Sequence, residues 1–152
     1  MNSLFPASAA WKLNSSPRRS SETGEGRAKI LIADDDPIVH LLCRHQLERA
    51  GYQVFEATNG HEAIEVAQRE LPDVIIMDIM MPQMDGLAAI RGLKKAPSGK
   101  ATPIIVVTAS PLYELSRKES DRAGAAVFMT KPFSPAHLLE QVRELLTEES
   151  RL

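Results

Sequence analysis

The chain has 152 residues, with 18 Lys and Arg against 20 Asp and Glu, a net charge of -2 and a pI near 6.1. That length fits one domain with a core that needs no staples, and the near balance of charge gives no general pull towards nucleic acid or anionic membrane. A single cysteine, Cys43, excludes an intrachain disulfide and fits a reducing compartment; no apolar run approaches the roughly 20 residues needed to cross a bilayer.

The first 27 residues stand apart as a tail rich in Ser, Pro, Gly and charge. Such a segment buries too little apolar surface to offset its ordering entropy, so disorder is expected there, with Leu4, Phe5 and Trp11 as stray apolar residues. The amino terminus also lacks the basic start and longer apolar stretch of a secretory signal. A cytoplasmic protein that neither crosses a membrane nor binds nucleic acid directly is the expectation. The domain proper is set at 28–148, with 149–152 as a short end.

From Lys29 onward strand and helix signals alternate. Ile30-Leu31-Ile32-Ala33 is an apolar run that stops at Asp34-Asp35-Asp36-Pro37. Asp36 suits a helix N-cap and Pro37 the first helical position, and Val39, Cys43, Leu47 and Ala50 follow as an apolar stripe. Tyr52–Glu56 reads as a second strand, and the helix after Asn59-Gly60 places Ala63, Ile64, Ala67 and Leu71 on one side.

The third strand, Asp73 to Asp78, is a nearly unbroken β-branched run that ends on a carboxylate. Asp85-Gly86 then turns the chain into a helix through Leu87, Ile90 and Leu93. After a loop at Pro97-Ser98-Gly99, Pro103–Val107 is the fourth strand, ending at Thr108-Ala109-Ser110. The next helix, about Leu112 to Arg122, is strongly polar, with Leu112, Leu115 and Ala123 as its expected anchors. Few apolar anchors mark it as one of the least stable elements. Ala125–Met129 is the fifth strand, closing on Thr130-Lys131-Pro132, and Ser134-Pro135 opens a last helix with Leu138, Val142 and Leu145 inward.

Strands apolar on both faces require helices on both sides, and parallel strands joined through helices require right-handed crossovers. The predicted architecture is α/β, a doubly wound three-layer sandwich. Four strand ends carry chemistry: Asp34 and Asp35 after the first, Asp78 after the third, Thr108 after the fourth and Lys131 after the fifth. In a parallel sheet these ends lie on one edge, where ligands of open α/β sheets bind. Carboxylates gathered there repel, which calls for a cation or for raised pKa values. Oxygen ligands with room for water favour Mg2+. The Lys131 ammonium and Thr108 hydroxyl then suit the oxygens of a phosphoryl group on Asp78.

With these residues in this order, the chain from about Lys29 to Leu146 resembles the receiver domain of two-component response regulators. The resemblance implies a flavodoxin-like (βα)5 fold with strand order 2-1-3-4-5. It implies Asp78 as phosphoacceptor, Asp35 as direct Mg2+ ligand, Asp34 acting mostly through water, and the Met80 carbonyl on the metal. Thr108 and Lys131 would contact the phosphoryl group, Phe128 would change rotamer on activation, and the Lys131-Pro132 bond would be cis. The implied role is a phosphorelay switch phosphorylated by a sensor histidine kinase or histidine phosphotransfer protein. Output would pass through a separate effector protein, since no effector domain fits, or the chain is the receiver part of a longer regulator. The switch would be a monomer or a weak phosphorylation-dependent dimer, and not an enzyme beyond its own phosphorylation and dephosphorylation.

Met80 and Ser110 stand beside the route of a hydrolytic water in that family. Met80 offers that water no hydrogen bond, which implies slow loss of phosphate. A Met80→Asn variant that lost phosphate no faster would count against this.

Other readings are weaker. A haloacid-dehalogenase-like phosphatase would need a second Asp where Met80 stands. A flavodoxin-type electron carrier would need a hydroxyl- and glycine-rich loop where Asp34, Asp35 and Asp36 stand. A receiver-shaped scaffold that is never phosphorylated has no need of the full set of acids and lysine. His40, His45, His61 and His137 show no metal-ligand spacing and read as surface or helix histidines. Cys43 reads as an inert buried residue. Arg117, Lys118 and Arg122, interleaved with Glu119 and Asp121, read as a solvated face.

Overall fold

The computed structural model describes residues 26–96, 102–109 and 112–151. The tail with Leu4, Phe5 and Trp11, the Pro97-Ser98-Gly99 loop and Ser110 lie outside the described residues. Strands β1 (Lys29–Ala33), β2 (Gln53–Ala57), β3 (Val74–Asp78), β4 (Ile104–Thr108) and β5 (Val127–Thr130) alternate with helices α1 (Pro37–Arg49), α2 (Gly60–Glu70), α3 (Gly86–Lys95), α4 (Tyr113–Ala123) and α5 (Pro135–Arg151). All strands are parallel, in the order β2-β1-β3-β4-β5. This is the predicted order 2-1-3-4-5.

The two-residue period of the strands sorts the core. Leu31, Ile75, Met77, Ile104 and Val106 face α2 and α3, where they meet Ala63, Val66, Ala89, Ile90 and Leu93. Their neighbours Ile30, Ile32, Ile76, Ile105 and Val107 face α1 and α5, against Cys43, Leu47, Leu138 and Val142. Every residue of β3 and β4 is buried, as central parallel strands require. Each fully buried Ile or Leu contributes about 1.5–3 kcal/mol, so the strand ends are held on a rigid platform.

Local chemistry sets the helix starts. Asp36 accepts the Ile38 N–H at 2.9 Å ahead of Pro37, Asn59 caps α2 through the Glu62 N–H, Asp85 caps α3 through Ala88, and Ser134 caps α5 through Ala136 and His137. Helix α4 has no side-chain cap.

Three apolar residues are not where the sequence pattern puts them. Leu71 is 58% exposed, because it forms the left-handed C-cap of α2 and leaves the helix face before Pro72. Leu112 and Leu115 are 62% and 52% exposed. The inner face of α4 is built instead from Ser116, Ser120 and Ala123, at helical spacings of four and three. The Ser120 hydroxyl is fully buried and finds no partner among the described residues. An uncapped helix held by small polar residues is weakly anchored, as its composition suggests.

Candidate functional site: an acidic edge closed by a lysine

All five strands end on one edge of the sheet, and that edge collects the ionisable groups. Asp34 and Asp35 follow β1, Asp78 is the last residue of β3, Thr108 the last of β4, and Lys131 follows β5. Pairing of β3 with β4 sets Asp78 beside Val107, one step before Thr108. The Lys131 backbone N–H donates to the Thr108 carbonyl at 2.8 Å, and the Lys131-Pro132 bond is cis.

The Lys131 ammonium bridges two buried carboxylates, 2.7 Å from Asp34 Oδ2 and 3.1 Å from Asp78 Oδ2. The second oxygen of Asp78 accepts the Met80 N–H at 2.9 Å, and that of Asp34 accepts the Asp36 N–H at 2.9 Å. Asp35 is exposed at the rim, and one carboxylate oxygen from each of Asp34, Asp35 and Asp78 lies within 4.8 Å of the others. Hard oxygens this close suit a small divalent cation.

The electrostatics follow from burial and company. Burial pushes the Asp78 carboxyl above the usual carboxylate range; the Met80 N–H and the Lys131 charge pull it back, and Asp34 adds to the rise. Burial pulls the Lys131 ammonium down, but its bonds to Asp34 and Asp78 outweigh that and leave it above an ordinary lysine. Cys43, beneath the site, is pushed up to about 12 by burial and the Asp34 charge, so its thiol is inert at neutral pH.

The geometry joins Asp34, Asp35, Asp78 and Lys131 as the sequence pattern places them. Phe128 is half-buried and packs against the α2 and α3 side of the core. The Met80 side chain is exposed at the rim. His40 lies on a helix, as expected, but not at the surface. It is only 7% exposed, and its Nε2 lies 2.6 Å from the Asp34 carbonyl oxygen. Its signal is positional: His40, Cys43 and Leu47 fall at i, i+3 and i+7 on the inner face of α1.

Beside Lys131 a cavity of about 350 Å³ is lined by Val39, Leu42, Cys43, Pro132, Phe133 and Pro135, among others. Next to it α1 presents Ile38, Leu41 and Leu42 to solvent. This apolar ridge, at i, i+3 and i+4, was not singled out in the sequence, where a helix needs only one apolar face.

Fold and site together define a doubly wound α/β module with a buried, lysine-paired acid at a strand end. Comparison with known proteins makes this specific. The family model of the response regulator receiver domain matches residues 30–143. Protein PilH of Pseudomonas aeruginosa is 38% identical over 119 residues, covering 78% of this chain and 98% of PilH. The alkaline phosphatase synthesis transcriptional regulatory protein PhoP of Bacillus subtilis is 36% identical over 118 residues, covering 78% of this chain but 48% of PhoP, so the chain spans about half of that relative.

Among solved structures, the chemotaxis response regulator CheY4 of Vibrio cholerae matches with a TM-score of 0.73 and 34% identity, over 78% of this chain and 98% of CheY4. The receiver domain of a sensor histidine kinase from Pseudomonas aeruginosa, with a magnesium ion in its active site cleft, matches with a TM-score of 0.73 and 30% identity, over 80% of this chain and 98% of that one. The chain belongs to the response regulator receiver family of two-component systems. Among its described residues, no helix is long and apolar enough to cross a membrane.

Proposed function

We propose that this receiver is a Mg2+-dependent phosphoacceptor switch in a phosphorelay, with Asp78 taking the phosphoryl group from a phosphohistidine on a sensor kinase or phosphotransfer protein. The observation that carries the reading is the buried Asp78 carboxylate held between the Met80 N–H and the Lys131 ammonium, with Asp34 and Asp35 beside it. A carboxylate needs no base to become a nucleophile. As an Asp78 oxygen bonds to phosphorus, the phosphorus–nitrogen bond breaks and its electrons return to the imidazole ring. Lys131 is placed to exchange a carboxylate partner for a phosphoryl oxygen, and Thr108 stands at the neighbouring strand end.

The donor set fits Mg2+. Asp35, Asp78 and the Met80 carbonyl would hold it directly, with Asp34 acting through water, and the magnesium in the kinase receiver's cleft supports the choice. When bound, Mg2+ offsets the negative charge shared by the carboxylates and the incoming phosphoryl oxygens. This chemistry modifies only the protein itself, with no turnover of a separate substrate.

Phosphorylation adds charge beside Thr108, and the reading assigns the response to Thr108, Phe128 and the face of α4, β5 and α5. The weak anchoring of α4 supports this, since movable elements come from the least stable part of a fold. The altered face would engage a separate effector in the cytoplasm. The apolar ridge of α1 and the cavity at Lys131 flank the acidic edge and suit the helix of a phosphodonor.

The test is chemical mapping. After incubation with acetyl phosphate and Mg2+, borohydride reduction converts an acyl phosphate of aspartate to homoserine. Homoserine at position 78 is the expected result, and homoserine at any other acid contradicts the assignment.

A further inference from the structure

Each polar atom of Asp34 has a partner. Its N–H donates to the Ala57 carbonyl at 3.0 Å, Oδ1 accepts from the Asp36 N–H at 2.9 Å, and Oδ2 accepts from Lys131 at 2.7 Å. Its carbonyl oxygen lies 2.6 Å from His40 Nε2. A carbonyl can only accept, so Nε2 carries the hydrogen. The first three contacts hold the Asp34 nitrogen and side chain. The fourth acts on a different unit, because the Asp34 carbonyl and the Asp35 nitrogen share one rigid peptide plane.

The orientation of that plane sets the direction in which the Asp35 side chain leaves the backbone. The Asp36 N–H bonded to Asp34 Oδ1 holds the peptide that follows Asp35, which leaves the peptide that precedes it to His40; the Asp35 carboxylate itself is exposed and makes no hydrogen bond among the described residues. His40 is itself fixed, buried on the same stripe as Cys43 and Leu47. On its far side Nδ1 lies 3.8 Å from Glu56 Oε2, which is 3.0 Å from Arg44 Nε, and Arg44 donates to the Val54 carbonyl at 3.0 Å. Buried Nδ1 itself has no hydrogen bond among the described residues. A ring that leaves one buried nitrogen unsatisfied is a poor device for stability alone. What the ring does supply is a donor aimed at one carbonyl.

We infer that His40 is a positioning residue of the acidic site: its Nε2–H fixes the Asp34–Asp35 peptide and so aims the Asp35 carboxylate at the cation. The inference rests on the Mg2+ reading above. It differs from a packing role in what it requires, a donor at one point in space. The amide nitrogen of Gln reaches the position of His Nε2. The amide of Asn stops one bond short, and Leu has no donor.

The experiment is calorimetric titration of Mg2+ into the metal-free full chain at 25 °C, for native protein and for His40→Leu, His40→Asn and His40→Gln. Thermal melts confirm that each variant is folded at that temperature. His40→Leu and His40→Asn bind Mg2+ about tenfold more weakly, in the range found for residues that orient metal ligands, and His40→Gln binds within about twofold of native. If His40→Leu fails to fold, His40→Asn against His40→Gln carries the comparison. Native-like affinity in the Leu or Asn variant overturns the inference and leaves the phosphoacceptor reading standing; so does a Gln variant as weak as Asn. Native protein that binds no Mg2+ overturns both, and it is recognised from the native titration alone.

Discussion

Asp78 sits in a balance that can be weighed by pH. Its folded pKa lies above the unfolded value of 3.8, chiefly through burial. Between those two values the native state binds more protons than the unfolded state, so stability falls as pH rises through that window. Lys131 works the other way: its raised pKa contributes stability that is complete below 10.5 and lost as pH rises through the folded value. In the absence of divalent cation, Asp78→Asn is therefore expected to raise the Tm at pH 7. The gain shrinks towards pH 4. An unchanged or lower Tm at pH 7 would show that the acid is not under this strain.

The residues of that balance were legible because parallel strands bring their carboxyl ends together, so Asp34, Asp35, Asp78, Thr108 and Lys131 needed only correct strand assignment. His40 was not. A single polar residue in a helix reads as solvent-facing unless its phase on the buried stripe is compared with that of Cys43 and Leu47. Its partner, moreover, is a backbone carbonyl, which leaves no trace in residue types.

At the scale of elements, the approach of α3 to β3 is the tightest constraint near the site. A Cβ on Gly86 would lie 2.3 Å from the Asp78 carbonyl oxygen and 2.6 Å from Ile79 Cα. Both are backbone atoms, so the helix start or the strand end must move. Gly86→Ala is expected to cost about 1–3 kcal/mol, the range for overpacking, measured by urea denaturation. It should also slow phosphorylation from acetyl phosphate, since the displaced strand end carries Asp78, the proposed phosphoacceptor. Native stability in this variant would mean that the contact is looser than the structure shows.

The strands and the helix starts were readable from apolar runs and from Asp36, Asn59, Asp85 and Ser134. The inner face of α4 was not. An apolar pattern points to Leu112, Leu115 and Ala123; only Ala123 packs inward, and the rest of the close packing is made by Ser116 and Ser120. The outward Leu112 and Leu115 leave apolar surface on the face assigned here to output, where a partner could bury it.

For the whole molecule, two apolar surfaces flank one acidic edge, and under the proposed function they would separate delivery of the phosphoryl group from the response to it. On the delivery side, Leu41 is well exposed on the α1 ridge and touches none of the site residues through a hydrogen bond or ion pair. Leu41→Glu should lower the rate of transfer from a histidine kinase or phosphotransfer protein that phosphorylates the native chain, by about tenfold for a central docking residue. Phosphorylation from acetyl phosphate, which needs no docking, should be unchanged. Equal losses with both donors would place the defect in the site itself, and no loss with either would remove α1 from the docking surface.

The central claim is that Asp78 accepts a phosphoryl group with the help of a divalent cation held by its neighbours. It is tested most directly by the intact mass of the protein after incubation with acetyl phosphate, with Mg2+ or with a chelator, for the native chain and for Asp78→Asn. The account predicts the gain of one phosphoryl group in native protein with Mg2+, little or none with chelator, and none in the variant. A native chain that gains no mass with Mg2+ present, or a variant that gains as much as native, would contradict it.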